Sequence, residues 1–397
     1  MNDKIEKLFS LSGPFAKLLP GYNFRESQLN MALSVWNSLE NSNRIFIEAP
    51  TGVGKSLAYL VPAVLYSILS EEKIIISTET KTLQYQLIEK DIPLVKKALL
   101  EIDIDFKAEA AFGVNNYLCR RRFENPRTGE INFLEITDQI RNQSDNFKWG
   151  TNDEISSLIK SKDLKKYWQE INRESEYCLK SKCRYFKICH FYKMKRAIAK
   201  SDIIIVNNYL FFTNIISNYT VLPEFSAVIF DEAHNLEKIA TEFFSFGFST
   251  EQVEYVLNSI FSSRQGKGIL KDISLNRETK KNIESVHNKA ALSINALLEV
   301  LSGFYQKNSQ GSKNDFPEKL IIRNSLNRGE IKELKENAVE KLTDYITLLE
   351  STKVFAKDSE EEMLFNGAID RLSELKKNIT DFIEMNGDNF VYWVTKK

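Results

Sequence analysis

The stretch Glu48-Ala-Pro-Thr-Gly-Val-Gly-Lys-Ser56 decides the fold of this chain. The apolar run Ile45–Ile47 precedes it and an apolar helical pattern begins at Leu57, so the sequence predicts a strand, a glycine-bearing loop and a helix in succession. Glycines in such a loop let backbone N–H groups approach phosphate oxygens at the positive end of the helix. We therefore predict a phosphate-binding loop that holds a nucleoside triphosphate.

Each part of this loop has an expected task. Lys55 is expected to reach the terminal phosphates, and the Ser56 hydroxyl is expected to ligate Mg²⁺. The alternative is a chance loop of this composition, which the flanking strand and helix patterns disfavour. The residues expected to bind ATP in the loop are Ala49, Pro50, Thr51, Gly52, Val53, Gly54, Lys55 and Ser56.

Bulk composition excludes several classes of protein. The chain has 397 residues, enough for two or three domains, and its 54 Lys and Arg balance 54 Asp and Glu. No apolar run approaches the length of a membrane span, and the N-terminus has no signal-peptide pattern. We expect a soluble, cytoplasmic protein that has no membrane partner.

A second candidate nucleotide contact lies before the loop. The motif Phe24-Arg25-x-x-Gln28 precedes the loop by some twenty residues, and a glutamine amide can pair with both N6 and N7 of adenine. Arg25 and Gln28 are therefore expected to contact the nucleotide base. The alternative is an ordinary solvated glutamine on a helix.

Polar side chains follow the next apolar run, Ile74–Ile76, which predicts a buried parallel strand. These side chains could contact a nucleic-acid backbone or could only cap the strand and the next helix, and the residues favour neither reading. They are Ser77, Thr78, Thr80, Thr82, Gln84 and Gln86.

An acidic pair follows a later apolar strand pattern. The run Ala227–Phe230 leads directly into Asp231-Glu-Ala-His234, and the carboxyl ends of parallel strands are where open α/β sheets place their sites. Asp231 is expected to hold Mg²⁺ through water and Glu232 to polarise the attacking water. The alternation of strand and helix patterns predicts an α/β fold with a parallel sheet.

The four cysteines all lie between the loop and the acidic pair. Cys119 stands alone, and Cys178, Cys183 and Cys189 follow as C-x4-C-x5-C. Thiolates at this spacing can converge on Zn²⁺ or on an iron–sulfur cluster, and the absence of C-x2-C hooks favours the cluster. Four unrelated buried thiols are the alternative. His190 is interpreted as a neighbour, not a ligand.

The surroundings of these cysteines are basic and aromatic. Residues 160–200 contain 13 Lys and Arg against 4 Asp and Glu, with tyrosine, phenylalanine and tryptophan interleaved. Cations that follow phosphates, with rings that stack on bases, are typical of a single-strand binding surface. A solvated basic helix with core aromatics would have the same composition.

Together these motifs resemble the DinG/XPD family of iron–sulfur superfamily 2 DNA helicases, and more closely its bacterial DinG branch. The resemblance rests on the following segments: Phe24-Arg25-x-x-Gln28, Ala49 to Ser56, Ser77-Thr-Glu-Thr-Lys-Thr-Leu83, Asn116-Tyr-Leu-Cys119, the C-x4-C-x5-C triplet, Val206-Asn207 and Asp231-Glu-Ala-His-Asn-Leu-Glu237. Two segments, Thr151-Asn152-Asp153 and Asn207-Asn208, depart from the family pattern.

The resemblance implies a 4Fe–4S cluster bound by Cys119, Cys178, Cys183 and Cys189, and movement from 5′ to 3′ on single-stranded DNA. It also implies five segments: a RecA-like motor domain in two parts (1–110 and 200–245), an inserted iron–sulfur domain (111–199), a helical arch (246–387) and a strand returning to the motor sheet (388–397). Apolar stripes at helical spacing, such as Leu342 to Leu349 and Leu364 to Leu375, fit the core of the arch. His287 is expected to be solvated.

The second motor domain is expected to be absent, because no Ser-Ala-Thr and no Gln-x-x-Gly-Arg-x-x-Arg segment follows Asp231. The leading hypothesis is the N-terminal portion of an ATP-dependent helicase acting on single-stranded or forked DNA. A second hypothesis is a nucleotide- and single-strand-binding half that needs a partner chain carrying the missing arginines. A third is a redox sensor whose cluster tunes DNA affinity.

Overall fold

The computed structural model describes residues 1–50, 52–124, 134–143, 147–159, 161, 163–261, 268, 270, 273, 275–309, 320–322, 324, 326–385 and 390–395. The chain forms two compact units: Met1–Arg120 with Asp138–Leu164 and Arg184–Phe244, and Arg121–Thr137 with Lys165–Cys183 and Ser245–Lys397. Residues 111–199 are divided between these two units, and the iron–sulfur domain expected for this segment stays a prediction. None of the helices in the described ranges is both long enough and apolar enough to cross a membrane.

A four-stranded parallel sheet organises the first unit. Its strands are β1 (Ile74–Thr78), β2 (Ala108–Ala110), β3 (Ile203–Asn207) and β4 (Ala227–Phe230), in the order β2-β3-β1-β4. Every residue of β1 is buried, as expected of continuous β-branched runs covered on both faces. The predicted α/β fold with a parallel sheet is confirmed.

Helices before, between and after these strands complete the first unit. The helix α3 packs along α4, and a single apolar core runs from the N-terminal helices through β1 and β3 to the last helix. These helices are α1 (Asn2–Phe9), α2 (Pro14–Leu18), α3 (Glu26–Glu40), α4 (Lys55–Ser70), α5 (Lys81–Gln86), α6 (Ile92–Leu100), α9 (Asn152–Leu158), α11 (His190–Ile198), α12 (Asn208–Ile216) and α13 (Leu236–Phe243). The helices α7, α8 and α10 are described with the second unit.

The prediction of a strand at Ile45–Ile47, ahead of the phosphate loop, is wrong. Residues 43–50 carry no regular structure, and Ile45, Phe46 and Ile47 expose 45%, 95% and 37% of their surface. The strand β4 is an edge of the sheet and all four of its residues are only half-buried. A strand needs a partner for its backbone groups, and residues 43–50 do not pair with β4, whose outer side has no strand neighbour in the described part of the chain.

Long helices build the second unit. They are α14 (Thr250–Ile260), α15 (Arg277–Ser309), α16 (Gly329–Lys353) and α17 (Ser359–Glu384). Two short helices, α7 (Arg120–Glu124) and α10 (Leu164–Ile171), belong to this unit except for their first residues, and the residues of α8 (Leu134–Gln143) are divided between the two units. The helix α16 packs against both α15 and α17. The predicted stripe residues Leu342, Leu349, Leu364 and Leu372 are buried in the shared core, which confirms their packing role.

The C-terminal strand forms but pairs differently from the expectation. The strand β6 (Tyr392–Val394) is antiparallel to β5 (Leu320–Ile322), and both belong to the second unit. It therefore does not join the four-stranded sheet in this structure. An edge strand of three residues pairs with whichever partner lies nearby in the chain's own unit, and the sequence pattern of β6 does not identify that partner.

Within the second unit, a buried ion network connects Arg122 and the segment Lys165–Cys183 to the helix α17. The carboxylate of Glu174 lies 2.8 Å from Arg122 and 2.6 Å from Arg371, and all three side chains are at least nine-tenths buried. Arg371 also stacks on the Tyr177 ring, and Arg121 pairs with Glu360. Since Arg122 further donates to the carbonyls of residues 169 and 172, the segment is held at several points.

Removing the shared carboxylate is expected to destabilise the second unit strongly. Glu174→Ala leaves two buried guanidinium groups without their carboxylate, so we expect a loss of about 3–5 kcal/mol in the free energy of unfolding. Urea denaturation measures this loss. Glu176→Ala is the control, because Glu176 is partly exposed and 3.9 Å from Arg371, and it is expected to cost less than about 1 kcal/mol. Equal losses for the two variants would contradict the role of the buried network.

The expectation that His287 is solvated is wrong. Only 7% of its surface is exposed, because it packs between Phe261 and Tyr345, and Nδ1 lies 3.3 Å from the Tyr345 hydroxyl. Burial lowers the pKa of His287 from 6.5 to about 4. The buried face of its helix, α15, is therefore wider than the apolar residues of that helix alone indicate.

A pH dependence of stability follows from this burial. Between pH 6.5 and about 4 the unfolded chain binds a proton at His287 and the folded chain does not. The stabilising contribution is therefore present above pH 6.5 and lost as the pH falls, by up to ~1.4 kcal/mol per pH unit. Comparing urea midpoints of the wild type and His287→Gln across this range measures it. A stability difference between the two proteins that does not change with pH would rule out this titration.

Candidate nucleotide and metal sites

The phosphate loop has the backbone geometry that phosphate binding requires. Gly52 and Gly54 have φ of 82° and 88°, in the left-handed region that side chains disfavour. The helix α4 begins at Lys55, directly after Gly54, so its first N–H groups face the loop. Ala49, Val53 and Ser56 are half-buried and Pro50 is exposed. The remaining predicted loop residue, Thr51, lies outside the described residues.

Arg25 and Gln28 contact this loop through its backbone. The buried Gln28 donates from Nε2 to the Gly54 carbonyl at 2.9 Å, and Arg25 donates to the Gly52 carbonyl. A Cβ atom on Gly54 would lie 2.2 Å from Gln28 Nε2, so no other residue fits this approach without displacing the glutamine. The two residues hold the loop in position, and their contact with adenine stays a prediction.

The acidic pair meets the loop from the end of β4. Lys55 Nζ lies 3.2 Å from Glu232 Oε1, and the Tyr59 hydroxyl lies 3.2 Å from Asp231 Oδ2. The Asp231 amide donates to the Ser77 carbonyl at 2.8 Å, which ties the pair to the end of β1. The structure therefore brings Lys55, Asp231 and Glu232 together, and their catalytic and metal-binding roles stay predictions.

Electrostatics at the acidic pair favour a bound cation. Burial, and secondly the neighbouring Glu232 carboxylate, raise the pKa of Asp231. Glu232 adopts φ of 53°, an uncommon conformation for a residue with a side chain, and strain of this kind concentrates at functional sites. Positive charge near Asp231 would relieve the repulsion between the two carboxylates.

Tyr59 is a residue of the site that was not identified from the sequence. Tyr59 follows Lys55 by four positions, so both lie on one face of α4, and this spacing is the signal that could have revealed it. His234 Nδ1 lies 3.4 Å from Glu232 Oε2, and Asn235 donates to Glu79 at 3.0 Å. Asn235 thereby links the turn after Glu232 to the residue that follows β1.

The polar residues after β1 are mostly structural. Ser77 and Thr78 are buried, Ser77 donates to Asn208 at 2.6 Å, and Thr80 caps α5 by accepting from the Leu83 amide. Gln84 is also buried and donates to the carbonyls of residues 111 and 205. Thr82 and Gln86 are exposed. The other four residues of this set therefore favour the structural alternative, in which they cap or connect the strand and the next helix.

The aromatic residues near the cysteines divide into two groups. Tyr167, Trp168 and Tyr177 are buried, which favours a core role for these three. Half-buried rings and exposed cations occur together on the part of the first unit that begins at Arg184. They are Tyr185, Phe186, Phe191 and Tyr192 among the rings, and Arg184, Lys187, Lys193 and Lys200 among the cations.

The cysteines are half-buried thiols and none forms a disulfide. Cys119 and Cys189 belong to the first unit, and Cys178 and Cys183 belong to the second. Among the described residues, no three or more His, Cys, Asp or Glu side chains are gathered into a group that could hold a metal. The predicted ligand set is therefore not assembled in this structure, and it stays a prediction.

Comparison with known proteins agrees with this geometry. Residues 102–253 match the DEAD_2 family model and residues 30–117 match that of the DEAD/DEAH box helicases. The ATP-dependent DNA helicase YoaA of Escherichia coli is 32% identical over 62% of this chain and 38% of its own length. The ATP-dependent DNA helicase DinG of Escherichia coli is 28% identical over 56% and 33%. A solved XPD helicase aligns with 94% of this chain and 52% of its own, at 16% identity and a TM-score of 0.43.

The parallel sheet, the glycine loop and the acidic pair define an α/β protein of the phosphate-loop class. Within that class, the chain is similar to DEAD/DEAH box helicases and to the helicases YoaA and DinG. The aligned segments cover 38% of the length of this YoaA and 33% of that of DinG.

Proposed function

We propose that the chain is the N-terminal portion of a DinG-type ATP-dependent DNA helicase, and that it binds ATP with Mg²⁺ at the phosphate loop. The observation that carries the proposal is the 3.2 Å contact between Lys55 and Glu232, which are 177 residues apart in sequence. The matches to YoaA and DinG support the helicase class, because both are described as ATP-dependent DNA helicases.

The residues of the site divide the chemistry among them. Lys55 exchanges Glu232 for phosphate oxygens when the nucleotide enters, because phosphate offers a stronger charge-assisted partner. Glu232, so released, orients the attacking water and accepts its proton. Ser56 and Asp231 would hold Mg²⁺, which would supply positive charge close to the phosphate oxygens. Tyr59, through its hydroxyl, keeps the Asp231 carboxylate facing the loop.

The DNA partner is proposed as single-stranded or forked DNA that is tracked from 5′ to 3′. The half-buried rings and exposed cations that begin at Arg184 support this, since rings stack on bases and cations neutralise phosphates. Arg184 stacks over the Tyr185 ring at 4.8 Å, which presents a cation and a π surface together.

The proposal extends to a 4Fe–4S cluster bound by Cys119, Cys178, Cys183 and Cys189. Four thiols without disulfides are the donor set that such a cluster takes. A short helical turn at Lys180–Lys182 separates Cys178 from Cys183, and the Lys180 amide donates to Cys178 Sγ at 3.4 Å. Amide donors to sulfur tune the potential of such clusters. When bound, the cluster would supply electron-transfer capacity and a structural crosslink.

A second candidate function is favoured by the open edge of the sheet. With Ile45–Ile47 exposed and β4 unpaired on one side, the described nucleotide unit is incomplete. The chain would then be a nucleotide- and single-strand-binding half that hydrolyses ATP only with a partner chain. Partner-dependent hydrolysis separates this candidate from the first.

Lys55→Ala is expected to weaken ATP binding tenfold or more, because losing a charge-assisted contact costs about 1.5–3 kcal/mol. Equilibrium binding of a fluorescent ATP analogue measures the change. Lys97→Ala, which replaces an exposed lysine on α6, is the control and is expected to leave binding unchanged.

Hydrolysis by the wild-type chain is expected to be feeble with or without single-stranded DNA. Robust DNA-stimulated turnover by the monomer would refute the need for a second motor domain.

The anaerobically purified chain is expected to be brown and to contain iron and acid-labile sulfide in equal amounts. Cys183→Ser is expected to lose most of both, because a thiolate ligand is removed. Ser181→Ala, which alters the same turn without touching a thiol, serves as the control. Stoichiometric zinc in a colourless protein would replace the cluster by a tetrathiolate zinc site. Absence of both metals would refute the ligand assignment.

A further inference from the structure

An irregular helical turn lies behind the phosphate loop. The chain from Lys81 to Leu100 continues from α5 through a π-helical turn, Leu87–Asp91, into α6. Such wide turns are rare and occur frequently at functional sites. Pro93, in the first turn of α6, lacks the N–H that a regular helix would use at this point. The wide turn ends at Asp91 and sets the direction of its side chain.

Asp91 carries a buried oxygen that the protein does not satisfy. Its Oδ2 atom is inaccessible to solvent and has no hydrogen-bond partner among the described residues. An orphaned buried carboxylate oxygen is costly, so a chain that keeps one usually has a partner for it.

The groups around Asp91 are those of the nucleotide site. The Ser56 hydroxyl lies near both Asp91 and Tyr59, and the Asp231 carboxylate is close enough to interact with Asp91. Burial raises the pKa of Asp91, while the Ser56 hydroxyl opposes the rise. The side chains of Ser56, Tyr59, Asp91 and Asp231 therefore converge from α4, the π-helical turn and the end of β4.

The chemistry of a metal-ligating hydroxyl explains why a carboxylate belongs here. A serine hydroxyl that turns its oxygen lone pairs toward Mg²⁺ must donate its proton to an acceptor on the other side. Mg²⁺ in proteins also keeps several bound waters, which donate hydrogen bonds. Residues that orient metal ligands in this way change metal affinity when they are altered.

We propose that Asp91 is a positioning residue of the nucleotide site: it accepts the Ser56 hydroxyl proton with one oxygen and a magnesium-bound water with the other. This inference rests on the proposed function, and it assigns to the π-helical turn the selection of the magnesium complex of ATP over free ATP. Lys55 contacts the phosphates of both free ATP and its magnesium complex, whereas Asp91 contributes only to binding of the magnesium complex.

The test compares nucleotide binding with and without the metal. Affinities for a fluorescent ATP analogue are measured in excess Mg²⁺ and in EDTA for the wild type, Asp91→Asn and Glu89→Gln. Glu89 is exposed and lies on the same turn, so Glu89→Gln is the matched control. Asp91→Asn is expected to weaken binding about tenfold in Mg²⁺ and to leave binding in EDTA unchanged. Equal weakening in both conditions indicates a structural role and overturns the proposal, as does no change in either.

A double-mutant cycle keeps the proposal testable if Asp91→Asn lowers the stability of the fold. On a Ser56→Ala background, Asp91→Asn is expected to change the ratio of the two affinities much less than it does in the wild type. Additive effects would overturn the link between the two residues. Should the wild type bind no nucleotide, or Lys55→Ala bind it normally, the proposed function itself fails and this inference fails with it. Loss of binding in Lys55→Ala, together with an unchanged ratio in Asp91→Asn, rejects this inference alone.

Discussion

The structure of the first unit depends on the pairing of β1 with both β3 and β4 in parallel register. Ser77 lies opposite both Val206 and Phe230, so the three strands end together at one edge of the sheet. The backbone bond from the Asp231 amide to the Ser77 carbonyl continues this register one residue beyond β4. Because α4 packs near β1 and begins at Lys55, the lysine and the acidic pair meet there. A shift of one residue in β4 would turn Asp231 to the opposite face.

Much of this arrangement could be predicted from local sequence. Continuous β-branched runs such as Ile74–Ile76 identify buried parallel strands, and the glycines of the phosphate loop identify its backbone conformation. Lys55, Asp231 and Glu232 follow, since parallel strands deliver their carboxyl ends to one edge. Local sequence does not predict the tertiary contacts. The burial of Gln84 and His287 depends on neighbours more than twenty-five residues away in the chain. Asp91 is directed by a helical irregularity with no reliable sequence signature.

The cysteine ligand set shows a different limit. Spacing alone indicates that Cys178 and Cys183 can serve one centre, and the turn between them is present. The other two cysteines belong to the first unit, so the spacing of all four says nothing about how the set assembles. In the second unit, the Glu174 carboxylate between Arg122 and Arg371 anchors the segment that bears Cys178 and Cys183. The three charged side chains of this network come from segments far apart in sequence, so no local motif predicts the network.

In the part of the chain that the structure describes, β4 has a strand neighbour on one side only, and its open side has a consequence for the behaviour of the chain in solution. A sheet edge presents unpaired N–H and C=O groups, and the neighbouring sequence adds an almost fully exposed phenylalanine, Phe46, with two exposed isoleucines. Natural proteins blunt such edges with charge, proline or a covering segment, because an uncovered edge templates pairing with another copy. With equal numbers of acidic and basic residues, the chain also lacks the net repulsion that keeps molecules apart near neutral pH. Its colloidal stability therefore depends on protein concentration and on ionic strength, and covering β4 would improve it without altering a single residue of the core.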